Sequence, residues 1–332
     1  MEYRTLGTSD LIVSRIGFGA WASGGGGWAF ALGHQDDKES IEAIYRALDL
    51  GVNWIDTAPL YGIGHSEDVV RRALDGMAEP PYVFSKCGMP CEDSGRIIHC
   101  LTRESIRREC DASLKRLNVE AIDLYQVHWN KPSEEIEEGV AAVAELQREG
   151  KVRYIGVSNF DVDEMNAVRQ IAEITTLQPP YSLLDRNVEA EILPYCGENN
   201  IGVLVYSPLQ SGLLSGKMTR ERIAAFAEDD IRRDKPEYSE PQLSYALELA
   251  ETLKKIATRH GRSAAEVAIA WVLNNPNVDA AIVGMRRPEQ AEGTVGAAEL
   301  RLTDKDLVEI DEHLRNDQIN TNRLAPNKEI AP

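Results

Sequence analysis

The sequence contains no apolar run long enough to span a lipid bilayer, and no apolar signal region follows its first residues. We therefore expect a cytoplasmic protein with no membrane partner. Basic side chains are scarce as well, because 36 Lys and Arg face 54 Asp and Glu, which gives a formal net charge of -18. A field of that sign repels nucleic acid, so we expect no nucleic-acid partner, although a local pair of arginines can still bind a phosphorylated cofactor.

Cysteine is also rare, with five residues at irregular spacings: Cys87, Cys91, Cys100, Cys110 and Cys196. An odd number without regular spacing excludes a disulfide framework. Three of these thiols cluster loosely with His99, but their spacings fit no common structural zinc site. We therefore predict free thiols in a reducing compartment and no bound metal.

Short β-like runs alternate with amphipathic helices along the whole chain. The eight strand candidates are Arg15–Phe18, Val52–Asp56, Tyr82–Lys86, Ile122–Val127, Val152–Val157, Ile174–Gln178, Gly202–Tyr206 and Ala280–Val283. Eight strands separated by helices predict an α/β protein with a parallel sheet, which closes well into a (β/α)8 TIM barrel. An open doubly wound sheet is the alternative. No Pro/Gly/Ser linker divides the chain, so we predict one domain over residues 1–332, with a core at about 14–300.

Helix signals and connections complete this outline. The connection after the seventh strand, about 207–241, is long and highly charged, and long connections in compact domains are often functional. Residues 315–332 are polar, and we predict an irregular tail there. The predicted helix N-caps are Ser66, Thr102 and Ser133, and the predicted late helices are Gln242–His260 and Ser263–Asn274.

Two glycine-rich motifs resemble nucleotide-binding signatures. Gly17–Ala22 fits a loose GxGxxA dinucleotide fingerprint, but a Rossmann unit needs a helix at this point, and Gly24–Gly27 opposes one. We interpret these glycines as a mobile loop over a pocket, with an ordinary surface loop as the alternative. Gly212–Lys217 resembles a P-loop, but it has too few residues between its glycines, and Met218 replaces Ser or Thr. Nucleotide hydrolysis is therefore not expected.

Four chemically active side chains lie at the ends of consecutive predicted strands. Asp56 ends the second strand and Tyr61 follows it, Lys86 ends the third strand, and His128 follows the fourth. Because the carboxyl ends of barrel strands meet at one mouth, we expect the four to converge. Taken singly, each has an ordinary alternative: a loop cap, a half-buried aromatic, a structural ion pair and a core histidine.

The set of four has a chemical logic. A lysine ammonium favours the phenolate of a nearby tyrosine, so we expect Lys86 to lower the pKa of Tyr61 from its usual value near ~10. Asp56 would keep the lysine charged and in place, and His128 would orient a substrate carbonyl. Tyr61 would then donate a proton to the carbonyl oxygen, while the hydride needed for a reduction requires a cofactor.

The chain resembles the aldo-keto reductases from Tyr3 to about Leu314, and it looks closest to bacterial NADPH-dependent members of the general-stress and inositol-operon kind. The resemblance implies a (β/α)8 barrel with an N-terminal β-hairpin. It places the family's catalytic tetrad on Asp56, Tyr61, Lys86 and His128, with Tyr61 as the general acid. The matching segments are 51–62, 66–67, 113–117, 123–128, 156–160, 206–209 and 212–217.

The resemblance also implies a nicotinamide cofactor. Ser158, Asn159 and Gln178 would hold its carboxamide, and Tyr206 would stack on its ring. Further cofactor contacts are implied for Gly19, Ala20, Trp21, Asp56, Ser207, Pro208, Leu209, Gly212, Gly216, Lys217, Gly284, Arg286 and Gln290.

Cofactor and substrate choice depend on positions around this set. Arg286, helped by Arg287, would pair with a 2′-phosphate and favour NADP(H), with a solvated basic pair as the alternative. Gly293 and Thr294 depart from the Glu-Asn that the family often has on the adenine side. An aromatic wall for the substrate is predicted from Trp21, Trp28, Phe30 and Trp129, although aromatics near strand ends are often only packing.

The leading hypothesis is an NADP(H)-dependent reductase of a small-molecule aldehyde or ketone, acting as a monomer or a weak homo-oligomer. A redox-sensing, nicotinamide-binding subunit with little turnover is the second hypothesis. The third is a lyase or aldolase with Lys86 as a Schiff-base nucleophile. Asp56 opposes that role, because a lysine kept charged is not a nucleophile.

Overall fold

The computed structural model describes residues 1–92 and 94–316. Within these ranges no helix has the length and apolar character needed to cross a membrane. Of the predicted irregular tail, Arg315 and Asn316 belong instead to the last helix, and residues 317–332 lie outside the described residues.

In the described part of the chain, ten strands form a hairpin and a closed barrel. Strands β1 and β2 pair in antiparallel fashion, with Tyr3 opposite Ser14, which confirms the N-terminal hairpin. Strands β3 to β10 are all parallel, and β10 pairs with both β9 and β3, so the sheet closes and the open doubly wound alternative is wrong. The strands are β1 (Tyr3–Thr5), β2 (Ile12–Ser14), β3 (Ile16–Gly19), β4 (Trp54–Asp56), β5 (Tyr82–Cys87), β6 (Ile122–Val127), β7 (Val152–Ser158), β8 (Thr176–Gln178), β9 (Gly202–Val205) and β10 (Ala280–Gly284).

Helices surround the barrel and pack on it through a large apolar cluster. They are α1 (Asp37–Asp49), α2 (His65–Leu74), α3 (Arg103–Leu117), α4 (Ile136–Arg148), α5 (Val162–Val168), α6 (Ile192–Glu198), α7 (Arg220–Ala224), α8 (Gln242–His260), α9 (Ala264–Leu273), α10 (Pro288–Glu292) and α11 (Asp304–Asn316). The predicted Gln242–His260 helix is confirmed residue for residue, and the predicted Ser263–Asn274 helix is α9 with its two flanking caps.

The three predicted N-caps have different outcomes. Thr102 caps α3, because its hydroxyl accepts a hydrogen bond from the Ser105 amide. Ser66 lies inside α2, where its hydroxyl instead donates to the buried carbonyl of Ala20. Ser133 begins a short 3-10 helix whose N-cap is Pro132. Two of the three predictions are therefore wrong, since a serine before a helical pattern does not reveal the competing partner of its hydroxyl.

A second apolar cluster fills the barrel end that the hairpin covers. Leu6, Leu11 and Val13, all fully buried, pack there against Trp54 and other strand side chains. Gly17 makes room for the Trp54 ring, because a Cβ at that position would lie 2.2 Å from it. With this end filled, the cleft of the barrel lies at the carboxyl ends of the strands.

The GxGxxA segment is neither a Rossmann turn nor one continuous mobile loop. Gly17 and Gly19 belong to β3, and Trp21–Gly24 forms a single 3-10 turn that ends at Gly25. No α-helix begins there, so the dinucleotide-fold interpretation is wrong. The loop interpretation applies only to the residues after Gly24.

Candidate active site

The four predicted catalytic side chains meet at the carboxyl ends of neighbouring strands. Asp56 is the last residue of β4, and Tyr61 lies in the turn that follows. Lys86 is the penultimate residue of β5, one position earlier in its strand than predicted, and His128 directly follows β6. Asp56, Tyr61 and His128 line one cleft. Lys86 lies behind them, and its ammonium bonds to Asp56 and Tyr61.

Lys86 holds the group together from a fully buried position. Its Nζ donates to Asp56 Oδ1 at 2.5 Å, to the Thr57 carbonyl oxygen at 3.1 Å and to Tyr61 Oη at 3.3 Å. Burial by itself lowers the pKa of Lys86, but the attraction of Asp56 and Tyr61 outweighs it and leaves the pKa above its usual value. The lysine is therefore an ammonium at neutral pH, which argues against a Schiff-base nucleophile.

The electrostatics of Tyr61 differ from the sequence-based expectation. Burial raises the pKa of the phenol, Lys86 lowers it and Asp56 raises it again, so that the pKa lies above its usual value. The predicted lowering is wrong because burial destabilises the phenolate more than the single Lys86 ammonium stabilises it. Tyr61 is consequently a protonated donor throughout the neutral range.

His128 lies beside Tyr61, with 5.9 Å between the two ring centres. Burial, the Lys86 ammonium and His99 all lower its pKa well below the usual value. Its imidazole is therefore neutral and can exchange a hydrogen bond with a carbonyl group without adding a charge to the cleft.

The raised pKa of Tyr61 predicts the pH dependence of any reaction in which Tyr61 is the acid. A general acid acts only while protonated, so activity is lost as pH rises through its raised pKa. For such a reaction we expect kcat/KM to show no Tyr61-dependent decline between about pH 6 and about pH 9. Initial rates across that range, with cofactor stability checked at each pH, test this. An alkaline limb with a midpoint at about pH 8 would mean that Lys86 lowers the pKa of Tyr61 by more than burial raises it.

A buried amide network positions Asp56, and sequence reasoning missed its central residue. Asp56 Oδ2 accepts from Gln178 Nε2 at 2.9 Å and from Gln126 Nε2 at 3.2 Å, and Gln178 Nε2 also donates to Gln126 Oε1 at 3.1 Å. Gly156 leaves space for this arrangement, since a Cβ there would lie 2.8 Å from Gln126 Cγ. The available signal was a glutamine inside a strand. It lies two residues before His128, which places both side chains on the same face.

The predicted carboxamide-binding residues are connected to that network. Ser158 Oγ donates to the Gln178 carbonyl at 2.8 Å. Asn159, with a φ of 66°, donates to the His128 carbonyl at 3.0 Å and accepts from Tyr206 Oη at 2.9 Å. Because Gln178 uses its amide nitrogen inward, its Oε1 remains the acceptor end for a bound amide group.

Most of the other predicted cofactor contacts lie along the same cleft. Two do not: Ala20 is fully buried and presents its carbonyl to Ser66, and Gly216 packs against Ala264 and Lys254. Gly293 and Thr294, which depart from the family pattern, also line the cleft. The predicted residues that line it are Gly19, Trp21, Asp56, Ser158, Asn159, Gln178, Tyr206, Ser207, Pro208, Leu209, Gly212, Lys217, Gly284, Arg286 and Gln290.

The four predicted aromatic residues also line the cleft, close to Tyr61. The ring centres of Trp21 and Trp28 lie 6.4 and 6.3 Å from that of Tyr61, and Phe30 packs edge-on against Trp28. Trp129 packs edge-on against His99. Tyr61 thus faces a mainly apolar, aromatic chamber.

Arg286 ties a distant loop to the cleft. Its guanidinium donates to Gln35 Oε1 at 2.6 Å, to the Leu32 carbonyl at 3.1 Å and to the His34 carbonyl. Three of its five N–H groups are used, so two remain. Burial, and after it the Arg232 guanidinium, lower the pKa of Arg286, while Asp230 acts in the opposite direction.

The loop that Arg286 holds also binds the long connection after β9. The Ile231 amide donates to the Ala31 carbonyl at 2.9 Å, and the Gly27 amide donates to Asp229 at 2.9 Å. Sequence reasoning identified the connection as unusual but could not identify this partner. The two segments together form one wall of the cleft.

Comparisons with known proteins agree with this geometry. Residues 15–315 match the aldo/keto reductase family model. The chain is 39% identical to Aldo-keto reductase YhdN of Bacillus subtilis, over 98% of both chains, and 37% identical to an NADH-specific methylglyoxal reductase of Escherichia coli, over 92% of this chain and 96% of the other. A glycerol dehydrogenase from Gluconobacter oxydans superposes with a TM-score of 0.87 at 36% identity, over 98% of both chains. The chain therefore belongs to the aldo/keto reductase family of oxidoreductases.

Proposed function

We propose that this protein reduces an aldehyde or ketone to an alcohol with NADP(H), and that Tyr61 supplies the proton. When bound, the nicotinamide supplies the hydride that the carbonyl carbon accepts. The observation that carries the proposal is the Tyr61 hydroxyl, held 3.3 Å from the buried Lys86 ammonium at the mouth of the barrel.

The side chains have distinct parts in the proton transfer. Tyr61 gives its proton to the carbonyl oxygen, so the O–H bond of the phenol breaks as the O–H bond of the alcohol forms. Lys86 stabilises the phenolate left behind, and Asp56 holds the ammonium in place at 2.5 Å. Neutral His128 donates a hydrogen bond that orients the carbonyl oxygen. Solvent then reprotonates Tyr61, and the alcohol oxidation uses the same groups in reverse.

The residues along the cleft fit a nicotinamide dinucleotide. Lys217, Arg222 and Arg286 line it in a chain whose net charge is -18, and cationic groups concentrated at one cleft suit phosphate groups. The acceptor end of the Gln178 amide suits a carboxamide. The hydrogen bond from Tyr206 Oη to Asn159 fixes the orientation of the tyrosine ring, on which a nicotinamide ring can stack.

A preference for NADP(H) rests on Arg286. Two of its five N–H groups remain for a phosphate, and an anion would stabilise this partly buried guanidinium. The E. coli relative is NADH-specific by name, at 37% identity, so this preference needs its own test.

We expect Arg286→Met to lower kcat/KM for NADPH about 10- to 100-fold relative to NADH, because one charge-assisted phosphate contact is lost. The loop contacts of Arg286 are lost for both cofactors alike, so the ratio isolates the 2′-phosphate. Steady-state kinetics with both cofactors measure it. Arg148→Met, an exposed change on α4, is the charge-matched control. An unchanged NADPH-to-NADH ratio in Arg286→Met contradicts the assignment.

A spectrophotometric screen tests the proposed reaction. The purified protein is mixed with NADPH, and separately with NADH, and the loss of reduced cofactor is followed across a panel of aldehydes, dicarbonyls and ketones. Turnover with the corresponding alcohol as product supports the proposal. Cofactor binding by fluorescence without turnover on any carbonyl overturns it and indicates a sensor.

A further inference from the structure

Lys235 projects a positive charge into the aromatic part of the cleft. It follows the 3-10 turn Ile231–Asp234 in the long connection after β9, and its side chain is only 18% exposed. Its Nζ lies 5.9 Å from the centre of the Trp21 ring, whose other neighbour is Tyr61 with 6.4 Å between ring centres. These two distances place the ammonium within about 12 Å of the Tyr61 ring.

The charge of Lys235 is poorly compensated. Its nearest carboxylate, Glu237, lies 3.9 Å away, and Nζ makes no hydrogen bond to any residue that the structure describes. Lys86, by contrast, has three acceptors. A cation without hydrogen-bond partners is costly to bury, and burial lowers the pKa of Lys235 despite the opposing attraction of Glu237. An anionic ligand would remove that cost.

Two neighbouring cations of the cleft have hydrogen-bond partners within the protein. Arg232 pairs with Asp230 at 2.5 Å and donates to the Ser211 carbonyl, and Arg286 donates three of its N–H groups to the loop at Gln35. Lys235 differs from both, because its ammonium donates no hydrogen bond to any described residue and is open to a ligand. Its contact with Trp21 assigns it to the wall that faces Tyr61.

We propose that Lys235 forms an anion subsite for the substrate, which selects aldehydes and ketones that carry a carboxylate on the far side of an apolar spacer. This rests on the proposed carbonyl reduction. The spacer would pack on Trp21, Trp28 and Phe30, the carbonyl would meet Tyr61 and His128, and the carboxylate would bind the ammonium. No bond of the substrate changes at this subsite, so Lys235 acts in selection only.

The test compares an acidic and a neutral aldehyde of similar size and shape: 4-carboxybenzaldehyde and 4-nitrobenzaldehyde. Their different intrinsic reactivities cancel when the ratio of the two rates is compared between variants. ω-Oxo carboxylic acids of increasing length are added to cover the distance to the ammonium. We expect Lys235→Met to lower the acid-to-neutral ratio of kcat/KM about tenfold or more, mainly through KM, and Lys235→Arg to retain most of it. Lys38→Met removes a charge from a side chain that is 85% exposed and serves as the matched control.

Other outcomes overturn the inference. An acid-to-neutral ratio in Lys235→Met equal to that of the unmutated protein means that the subsite does not exist. A uniform loss for all carbonyls, with weaker NADPH binding by fluorescence titration, means that Lys235 serves a cofactor phosphate instead. If no aldehyde is reduced even by the unmutated protein, the proposed function itself has failed. Thermal unfolding of each variant confirms that the comparison concerns folded protein.

Discussion

Tyr61→Phe is expected to reduce the rate of carbonyl reduction about 10²- to 10⁴-fold, the usual contribution of a general acid. The change removes one oxygen and keeps the ring that packs near Trp21 and Trp28. Lys86 retains its bonds to Asp56 and to the Thr57 carbonyl, so stability should change by about 1 kcal/mol or less. The loss should appear in kcat, since the missing bond forms in the transition state.

Single-turnover kinetics with saturating NADPH measure this effect without a contribution from product release. Cofactor affinity, followed by fluorescence, should remain close to that of the unmutated protein. Tyr45→Phe, an exposed position on α1, makes the same chemical change outside the cleft and should leave the rate as it is. Reduction by Tyr61→Phe within about tenfold of the original rate, with cofactor bound, would falsify the assignment of Tyr61 as the proton donor.

Lys86→Met is expected to impair both folding stability and catalysis. It leaves the Asp56 carboxylate, 3% exposed, with only the amide donors of Gln126 and Gln178. Removal of one partner of a buried ion pair costs about 3–5 kcal/mol of unfolding free energy, and the two amides place this case toward the lower end. Carbonyl reduction should fall about 10²- to 10³-fold, because no cation then stabilises the Tyr61 phenolate.

A double-mutant cycle separates the two effects. Lys86→Met with Asp56→Asn removes both charges, so part of the stability should return while the reduction stays impaired. Denaturant unfolding measures the first quantity and single-turnover kinetics the second. Lys254→Met breaks an exposed pair with Glu251 and should cost about 1 kcal/mol or less. If Lys86→Met unfolds at the same denaturant concentration as the original protein, the ion pair contributes no stability.

The alternation of strands and helices was sufficient to predict the barrel. Each of the eight predicted strands overlaps an observed one, and several boundaries agree to the residue. The reason is that apolar periodicity and turn residues act locally, and eight parallel strands have few ways to close. Boundaries failed where a side chain found a distant partner, as at Ser66, whose hydroxyl binds the Ala20 carbonyl instead of capping α2.

The convergence of Asp56, Tyr61, Lys86 and His128 could also be expected from sequence, because the carboxyl ends of parallel strands share one edge. The role of Gln126 could not. Its significance depends on simultaneous bonds to Asp56 and Gln178, which come from strands far apart in the chain. The contact between the two loops at Ala31 and Ile231 could not be predicted either, because the two residues lie far apart in the chain.

The sequence by itself determined the fold, the family and the position of Tyr61 at the barrel mouth, since these follow from local patterns and from motif spacing. Only the tertiary structure decided how Tyr61 titrates. Burial raises its pKa, whereas the lysine expected beside it implied a lower pKa. The tertiary structure also decided that Arg286 shares its guanidinium with a loop some 250 positions earlier, and that Lys235 reaches Trp21. Desolvation and long-range contacts depend on everything that surrounds a group, and that information exists only once the chain has folded.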